Sequence, residues 1–583
     1  MAVSRLYSHG SASDAAWSAS DGTIHSLSLF RQAIRLRWGL TLLLAAGFLI
    51  PGLVGHDPWK QDETYTLGLI LHILHTHDWV VPTLTGQPFM EKPPLYYIVA
   101  AQFVRALTPL FSMHDAARLT SGFCMILTLT SLWLAASAWG LGRRAPIAVL
   151  AFISCLGLLV PAHTLFTDVA LLSGFCIAFA GFSLALRQPL SAGLIMGTGV
   201  GIGFMTKGLL APGIVGVTAL GLPALFRQWR TGTYFKTLSI AFITVLPWIL
   251  IWPLTLYHRS PDLFMQWFWQ NNIGRYEGFS VAHLGAPNNP LFWWKNLPWF
   301  TFPGLPMALY SLWQRPRAIE SNPMAQFGVV SVAVIVMVLS LAASARANYA
   351  LPILFPLALL AASYRHGPEQ FWRRQFWWAA VALFGVLAVL IWGTWFSLQV
   401  TGHAPAWAPL HGELPADYHP PVHRLATMVA ATLTLLWLGL ILHYRRHPHP
   451  LLAWVGGLVL GWGLVSTILL PWINDAKSYQ SVFIPLEHYL PAHHGCIANM
   501  GLGESERAML QYYAGVITLP TTNPQAGGCR LLVVEKRRHQ SEVPQVRSSE
   551  KQLWNGHRDG DNQELFWLYS RVEPSMTKRT RGS

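Results

Sequence analysis

The chain has 583 residues, of which 52% are hydrophobic and only 11% are charged. Soluble domains carry about 25% charged residues, so this composition excludes an ordinary soluble globular protein. A net charge of +14 would suit a nucleic-acid-binding protein, but the basic residues lie in short clusters between apolar runs. Because many apolar runs approach the ~20 residues that a helix needs to cross a bilayer, we predict an all-α polytopic membrane protein that does not bind nucleic acid.

The first 34 residues are rich in Ser and His and contain no apolar run, which predicts a disordered cytoplasmic tail over 1–34. The apolar run 38–54 comes next. No convincing signal-peptide cleavage site follows it, so we expect this run to stay in the membrane as an anchor.

The basic clusters predict the topology, because positive charge between spans is typical of cytoplasmic loops. If every cluster is cytoplasmic, each interval between clusters must hold an even number of spans. Three apolar runs lie between Arg37 and Arg143, and the middle one, 94–111, contains Gln102 and Arg105. We therefore expect 94–111 to lie in the outer interface. About thirteen spans are predicted, with the N-terminus in the cytoplasm: 38–54, 119–140, 146–164, 169–186, 192–206, 209–226, 238–257, 297–314, 325–343, 349–364, 376–398, 423–443 and 451–471.

Ionisable residues gather in the first predicted outer loop, residues 55–118, and at the outer ends of later spans. Such groups at membrane depth are costly and usually functional. The alternatives are structural: Asp62 and Asp168 as helix caps, and Lys207 as an anchor at a helix end. The set as a whole predicts a site on the outer face, and it comprises Asp62, Glu63, Asp78, Glu91, Lys92, Asp168, Lys207, Arg275, Glu277, Arg346, Asn348 and Tyr349.

The chain contains no P-loop, no HExxH motif and no serine nucleophile elbow. Carboxylates beside cations at a lipid–water boundary instead suit transfer from a lipid-phosphate donor. The cations would hold the phosphate and stabilise the charge that develops on the leaving oxygen. A carboxylate would take a proton from the acceptor hydroxyl or orient the acceptor.

The motifs DPWKQDETYT and HDWVVPTLTGQPFMEKPPLYY resemble the first periplasmic loop of lipid A aminoarabinose transferases. These enzymes belong to the wider protein O-mannosyltransferase-like group of polyprenyl-phosphate-sugar glycosyltransferases with the GT-C fold. The resemblance continues in order through LFTDVALL, MTKG, VLPW, PDLFMQWFWQNNIGRYEG and NYALPILFPLALL, and it covers roughly residues 36–365.

The resemblance implies a GT-C-like catalytic domain over 35–472, in the bacterial inner membrane. It also implies inverting transfer of a sugar from an undecaprenyl-phosphate-linked donor to a periplasmic acceptor such as lipid A. The resemblance specifies no cofactor and leaves a divalent metal open, with Glu91 as a candidate ligand. The stretch SARAN departs from the family pattern, and Arg346 is the candidate that it offers instead. The implied catalytic residues are Asp62, Glu63 and Asp168, and the implied donor-phosphate residues are Lys92, Arg275, Tyr349 and Arg346.

A second class of function stays open at this point, namely a transporter or lipid flippase. Such proteins usually show internal repeats and broken spans in two matching halves, and neither is clear in this sequence. Within the enzyme hypothesis, the sugar is open between aminoarabinose, mannose and other hexoses or pentoses. The acceptor is open between lipid A, another glycolipid and a protein.

After Pro471 the composition becomes polar, which predicts a periplasmic α/β domain over 473–583. The segments CIANM, VITLP, CRLLVVEK and ELFWLYSRV are typical of strands, and ESERAMLQYYAG is typical of a helix. Cys496 and Cys529 both fall in this domain. We predict that they form a disulfide, because the compartment is oxidising if the topology is correct.

Overall fold

The structure is a computed structural model that describes residues 38–280, 288–289, 291–363, 370–403, 405–407, 422–537, 550–558 and 561–571. The predicted tail 1–34 lies outside the described residues, as does the end of the chain after 571.

Apolar helices dominate the described part of the chain. Six of them are long and apolar enough to cross a membrane, and two bent pairs raise that number to eight if each pair is one span. This confirms a helical, multi-span membrane protein, while the predicted count of thirteen spans is not fixed by it. The six long helices are Met113–Ala138, Pro189–Lys207, Gly232–Arg259, Pro323–Leu341, Phe371–Thr401 and Arg424–Tyr444. The bent pairs are Gly142–Ile153 with Leu156–His163, and Pro450–Val465 with Leu470–Lys477. The shorter apolar helices are Trp38–Leu49, Leu95–Leu107, Thr167–Phe182, Leu210–Leu225 and Ala347–Ala362.

The predicted span 297–314 is not one helix. The structure has two helices there, Phe292–Phe300 and Gly304–Gln314. Pro298 and Pro303 lie in and after the first helix, and proline removes a backbone donor, which explains the interruption. The remaining short elements are Asp62–Thr76, Pro261–Met265, a π-helix at Gln266–Gly274, Arg275–Glu277, Ala318–Ser321 and Gln480–Glu487.

The helix Leu95–Leu107 matches the run that the sequence analysis assigned to the interface. It has 13 residues, so its length of ~20 Å is short of the ~30 Å hydrocarbon core. One face is buried, through Tyr96, Tyr97, Ala100, Ala101 and Val104, whereas Arg105 is exposed. The buried face packs against the helices Asp62–Thr76 and Met113–Ala138, and the position at the membrane surface stays a prediction.

Two glycine-lined helices form the centre of the membrane domain. Thr167–Phe182 is buried along almost its whole length and packs antiparallel against Pro189–Lys207. A Cβ on Gly174 would lie 2.7 Å from the backbone nitrogen of Gly203, and a Cβ on Gly199 would lie 2.3 Å from that of Ala178. Only glycine allows two backbones to approach this closely. The start of the first helix therefore meets the end of the second.

The C-terminal region contains a five-stranded sheet, which follows a small hairpin of β1 Thr83–Leu84 and β2 Gln87–Pro88 in the chain. Its strands are β3 Ile497–Met500, β4 Thr518–Pro520, β5 Leu531–Arg537, β6 Glu550–Arg558 and β7 Asp561–Arg571. The strand order is β4-β3-β5-β7-β6. β3 pairs parallel with β4 and β5, and β5 pairs antiparallel with β7. All four strands and the helix Glu504–Ala514 expected from the sequence are present. The sequence analysis missed β6, a largely polar edge strand that pairs antiparallel with β7.

The predicted disulfide between Cys496 and Cys529 is present, with the two Cα atoms 5.1 Å apart. It joins the residue before β3 to the residue two before β5. The three cysteines outside the sheet domain, Cys124, Cys155 and Cys176, are free and buried, as expected for small apolar residues in a membrane core.

We expect the double variant Cys496→Ser, Cys529→Ser to lower the free energy of unfolding of the sheet domain by about 2–4 kcal/mol, because the unfolded chain loses a cross-link. Thermal unfolding followed by tryptophan fluorescence would measure this. Non-reducing peptide mapping of the wild-type protein is the control, and two free thiols in that map would contradict the pairing.

Candidate functional site

The two acidic residues that open the helix Asp62–Thr76 point to different surroundings. Glu63 is buried and accepts hydrogen bonds from the Nε of Arg118 at 2.8 Å, from the backbone N–H of Leu165 at 2.8 Å and from that of Trp59 at 3.0 Å. Arg118 is fully buried and also donates to Asp115 at 2.8 Å. Both oxygens of Glu63 are thus engaged in holding the first loop to the helix Met113–Ala138.

The protonation states around Glu63 follow from this network. Burial alone would raise the pKa of Glu63, but the Arg118 guanidinium and the hydrogen bonds outweigh it and lower that pKa below its usual value. Burial and the Arg118 charge lower the pKa of His56 to about 4. His56 is therefore neutral at physiological pH, and Arg118 is the cation that neutralises Glu63.

Asp62 faces a hydrogen-bonded chain instead. The hydroxyl of Tyr65 donates to Asp62 Oδ1 at 2.5 Å, and the Nζ of Lys92 donates to the same hydroxyl at 2.9 Å. Burial, reinforced by the charge of Asp62, raises the pKa of Tyr65 well above its usual value, so the phenol keeps its proton. Asp62 and Lys92, which are 30 residues apart in the chain, are therefore linked through one neutral phenol.

Lys92 is a buried cation, with only 6% of its surface exposed. Its ammonium lies 5.3 Å from the ring centre of Tyr65 and 5.7 Å from that of Phe166. No carboxylate of the described residues forms an ion pair with it. A buried ammonium held by rings and one hydroxyl is under-neutralised, which favours an anion as its missing partner.

Asp168 and Lys207 meet where the two glycine-lined helices converge. Asp168 is in the first turn of Thr167–Phe182 and Lys207 is the last residue of Pro189–Lys207, and the two side chains form an ion pair. The Nζ of Lys207 also lies 3.9 Å from the ring centre of Tyr349. The sequence analysis left Lys207 open between the outer-face site and a helix anchor; the structure brings it into the same cluster as Asp168 and Tyr349.

Arg275 reaches this cluster because its segment is tied to the end of the Lys207 helix. The backbone N–H of Leu209 donates to Asn272 Oδ1 at 3.2 Å, within the π-helix that precedes Arg275. Gly208 permits the contact, since its φ is +74° and a Cβ there would lie 1.9 Å from that oxygen. Arg275 Nη2 then lies 3.4 Å from Glu91 Oε2.

Tyr349 marks the centre of the cluster. The charges of Asp168, Arg275, Arg346 and Lys92 all act on its hydroxyl, and those of Asp62 and Glu91 act on Arg346. The Arg346 side chain is exposed and forms no ion pair with a described residue. The structure thus brings seven of the eight residues singled out by the family motifs to one place, and Glu63 is the one turned away: the seven are Asp62, Glu91, Lys92, Asp168, Arg275, Arg346 and Tyr349.

A cavity of about 400 Å³ borders Asp62. It is lined by the first loop, by the bent segment around Pro161, by Asn348 and by the region around Leu470. Its walls combine charged residues such as Lys60 with apolar ones such as Trp462. The cavity borders both carboxylates of the DE pair, Asp62 and Glu63.

Glu91 stays a sequence-based candidate for a metal ligand. Its carboxylate pairs with Arg275. In the part of the chain that the structure describes, no group of three or more His, Cys, Asp or Glu ligands surrounds it. We assign no step to a metal.

Two residues of this region escaped the sequence analysis, namely Tyr65 and Arg118. Tyr65 lies one helical turn after Asp62, which is the spacing at which two side chains on a helix meet. That signal is present in DETY but common by chance. Arg118 follows an apolar run and carried no local signal, because its partner Glu63 is 55 residues away.

The fold is the one seen in ArnT from Cupriavidus metallidurans. The crystal structure of that protein bound to undecaprenyl phosphate superposes with a TM-score of 0.66 and 16% identity, covering 92% of this chain and 98% of that one. Its apo structure gives 0.67 and 17%, covering 93% and 98%. At such low identity the comparison shows the fold alone, which is the GT-C glycosyltransferase fold expected from the motifs.

The sequence is similar to undecaprenyl phosphate-α-4-amino-4-deoxy-L-arabinose arabinosyl transferases. The enzyme from Pseudomonas savastanoi pv. phaseolicola is 29% identical over 338 residues, which are 55% of this chain and 60% of the relative. That from Serratia proteamaculans is 28% identical over 349 residues, or 57% and 60%. No protein-family profile matches the chain. The chain thus spans about three fifths of these curated relatives, and the predicted resemblance to aminoarabinose transferases is confirmed.

Proposed function

We propose that this chain is a membrane glycosyltransferase of the bacterial inner membrane. It transfers 4-amino-4-deoxy-L-arabinose from undecaprenyl phosphate to a periplasmic acceptor, with lipid A as the first candidate. The observation that carries the proposal is the buried ammonium of Lys92, which has no carboxylate partner among the described residues and is linked to Asp62 through the Tyr65 hydroxyl. The names of the relatives supply the sugar and the lipid carrier.

Each group has a role in this transfer. Lys92, Arg275 and Arg346 bind the donor phosphate and stabilise the charge that grows on its oxygen as the sugar leaves. An acceptor oxygen attacks the anomeric carbon from the opposite face, the bond from that carbon to the phosphate oxygen breaks, and the configuration inverts. Asp62 takes the acceptor proton or orients the acceptor. Undecaprenyl phosphate is the leaving group.

The other acidic residues differ in role. Asp168 holds Lys207 against the Tyr349 ring, so the pair supports the phosphate side of the site. Glu63 is predicted from the motif as catalytic, but its two occupied oxygens favour a role in fixing the loop that carries Asp62.

The charged cluster favours an enzyme over the transporter alternative. Its members sit at helix ends and in loops, as in the first turn of Thr167–Phe182 and the last residue of Pro189–Lys207. Transporters place their ion and substrate sites near the middle of the membrane.

The function is tested on cells and on the purified protein. Lipid A from cells that express the chain is expected to gain one aminoarabinose unit by mass spectrometry, compared with cells that lack it. Purified protein in lipid nanodiscs is expected to transfer the sugar from undecaprenyl phosphate-aminoarabinose to added lipid A. An unchanged lipid A mass in cells, together with no transfer in nanodiscs, would refute the proposal.

We also propose the predicted topology, with about thirteen spans, the first loop in the periplasm and the sheet domain over 473–583 on the same side.

The topology is tested by thiol labelling at Ser112, which is exposed at the start of Met113–Ala138. With the three buried cysteines replaced by Ala, Ser112→Cys is expected to react with an impermeant thiol reagent in cells whose inner membrane is intact. Arg227→Cys, exposed on the predicted cytoplasmic side, is the matched control and should react only after permeabilisation. The reverse pattern would overturn the topology.

A further inference from the structure

The side chain of Lys60 leaves the first loop and enters the sheet domain. Its Nζ forms ion pairs with Glu506 and with Glu564, the latter at 2.6 Å. Both carboxylates are buried, and the Lys60 side chain is only 20% exposed. The contact joins residues that are more than 440 positions apart in the chain.

Lys60 is one of two cations in a buried cluster of three carboxylates. One carboxylate oxygen from each of Glu506, Glu535 and Glu564 lies within 4.8 Å of the other two. The Tyr479 hydroxyl, which has one proton to donate, lies 2.8 Å from a Glu564 oxygen and 3.1 Å from a Glu506 oxygen, and Arg558 pairs with Glu564 at 3.2 Å. Carboxylates this close repel one another unless cations lie between them. Lys60 is the cation that comes from outside the sheet domain among the described members of this cluster.

The pKa shifts favour an ionised pair of Lys60 and Glu564. Burial lowers the pKa of Lys60, but the charges of Glu506 and Glu564 outweigh it and raise that pKa above its usual value. Burial acts in the opposite direction on Glu564 and raises its pKa, but Lys60 and Arg558 outweigh it and bring that pKa below its usual value. Both partners are therefore ionised at physiological pH.

The same loop is tied to the C-terminal part of the chain on both sides of Lys60. Before it, Asp57 accepts from Ser478 at 2.5 Å and from Asn474 at 3.2 Å. After it, the helix Asp62–Thr76 packs on Glu504–Ala514, so that a Cβ on Gly68 would lie 3.0 Å from the Cβ of Ala508. Asp62 is two residues from Lys60, and both line the cavity.

We infer that Lys60 is a positioning residue: its ion pairs with Glu506 and Glu564 clamp the first loop to the sheet domain and so fix Asp62 against the phosphate-binding cations. The inference rests on the proposed function. It makes the sheet domain a supporting part of the transfer site.

The test separates turnover from donor binding, because the clamp holds Asp62 while Lys92 and Arg275 are untouched. Lys60→Met should lower kcat about 10- to 100-fold, the scale expected when a catalytic group is displaced by ~1 Å. The dissociation constant for undecaprenyl phosphate should stay unchanged. Lys60→Arg, which keeps the charge, should retain most of the turnover. Glu506→Gln removes the charge of the partner carboxylate in the sheet domain and should lower kcat in the same way.

The matched control is Arg571→Met, which removes another ion pair of the sheet domain, with Glu550 at 3.1 Å, and should leave kcat unchanged. Transfer is measured in nanodiscs with undecaprenyl phosphate-aminoarabinose and lipid A, on variants that melt cooperatively and keep the disulfide. Wild-type kcat in Lys60→Met, or an equal loss in Arg571→Met, overturns the inference. A wild-type protein without any transfer refutes the proposed function itself, which is a different outcome.

Discussion

Replacing Asp62 by Asn is expected to lower kcat by ~10²–10⁴-fold, the range typical for loss of a proton acceptor. Asn keeps the size of the side chain and can still accept from the Tyr65 hydroxyl, so the chain from Lys92 through Tyr65 to residue 62 is conserved in shape. Donor binding should therefore change little. Steady-state transfer and undecaprenyl phosphate binding in nanodiscs measure the two effects separately.

The control for Asp62→Asn is Asp262→Asn, because Asp262 is an exposed carboxylate at the start of the short helix Pro261–Met265. It should transfer at the wild-type rate. Full transfer activity in a folded Asp62→Asn variant would remove Asp62 from the mechanism and leave it as the first residue of a helix.

Replacing Lys92 by Met is expected to act on the donor first. A hydrogen bond to a charged group contributes about 1.5–3 kcal/mol, so the dissociation constant for undecaprenyl phosphate should rise about 10- to 100-fold. Transfer should also slow, because the negative charge on the phosphate grows as the sugar leaves. Met fills the space between the rings of Tyr65 and Phe166 without the charge.

Lys295→Met is the matched control, since Lys295 is exposed and should bind donor as the wild type does. A second variant, Lys92→Ala, tests whether the change in donor affinity comes from the lost ammonium or from the introduced Met side chain. Wild-type affinity for undecaprenyl phosphate in both Lys92 variants would show that the phosphate binds elsewhere.

The sequence predicted the helical membrane fold because its apolar runs and sparse charge leave few alternatives. It also predicted most strands of the sheet domain, since their apolar alternation is a local signal. β6 was missed because an edge strand exposed to solvent needs no such pattern. The break within 297–314 was missed because hydropathy does not register that prolines divide the run into two helices.

The candidate site shows a similar division. Asp62, Lys92 and Asp168 could be singled out because short motifs surround them. Lys207 could not be distinguished from a helix anchor, because its contact with Asp168 depends on how two helices pack and not on its neighbours in the chain. Arg118 and Lys60 form long-range ion pairs with Glu63 and Glu506. One sequence without its relatives carries no signal for such pairs.

The glycines where Thr167–Phe182 and Pro189–Lys207 pack together must suit both insertion into the bilayer and close packing of the two helices. Replacing Gly199 by Leu would make its helix more apolar, and insertion into the bilayer would be as favourable as before. The larger side chain would nevertheless push the helices apart, since Gly199 has the backbone of Ala178 against it. Asp168 and Lys207, at the far end of the pair, would then separate. Mutations that hydropathy rates as harmless can thus disable a charged site more than a helix turn away, and engineering of this protein for stability should leave that glycine stripe untouched.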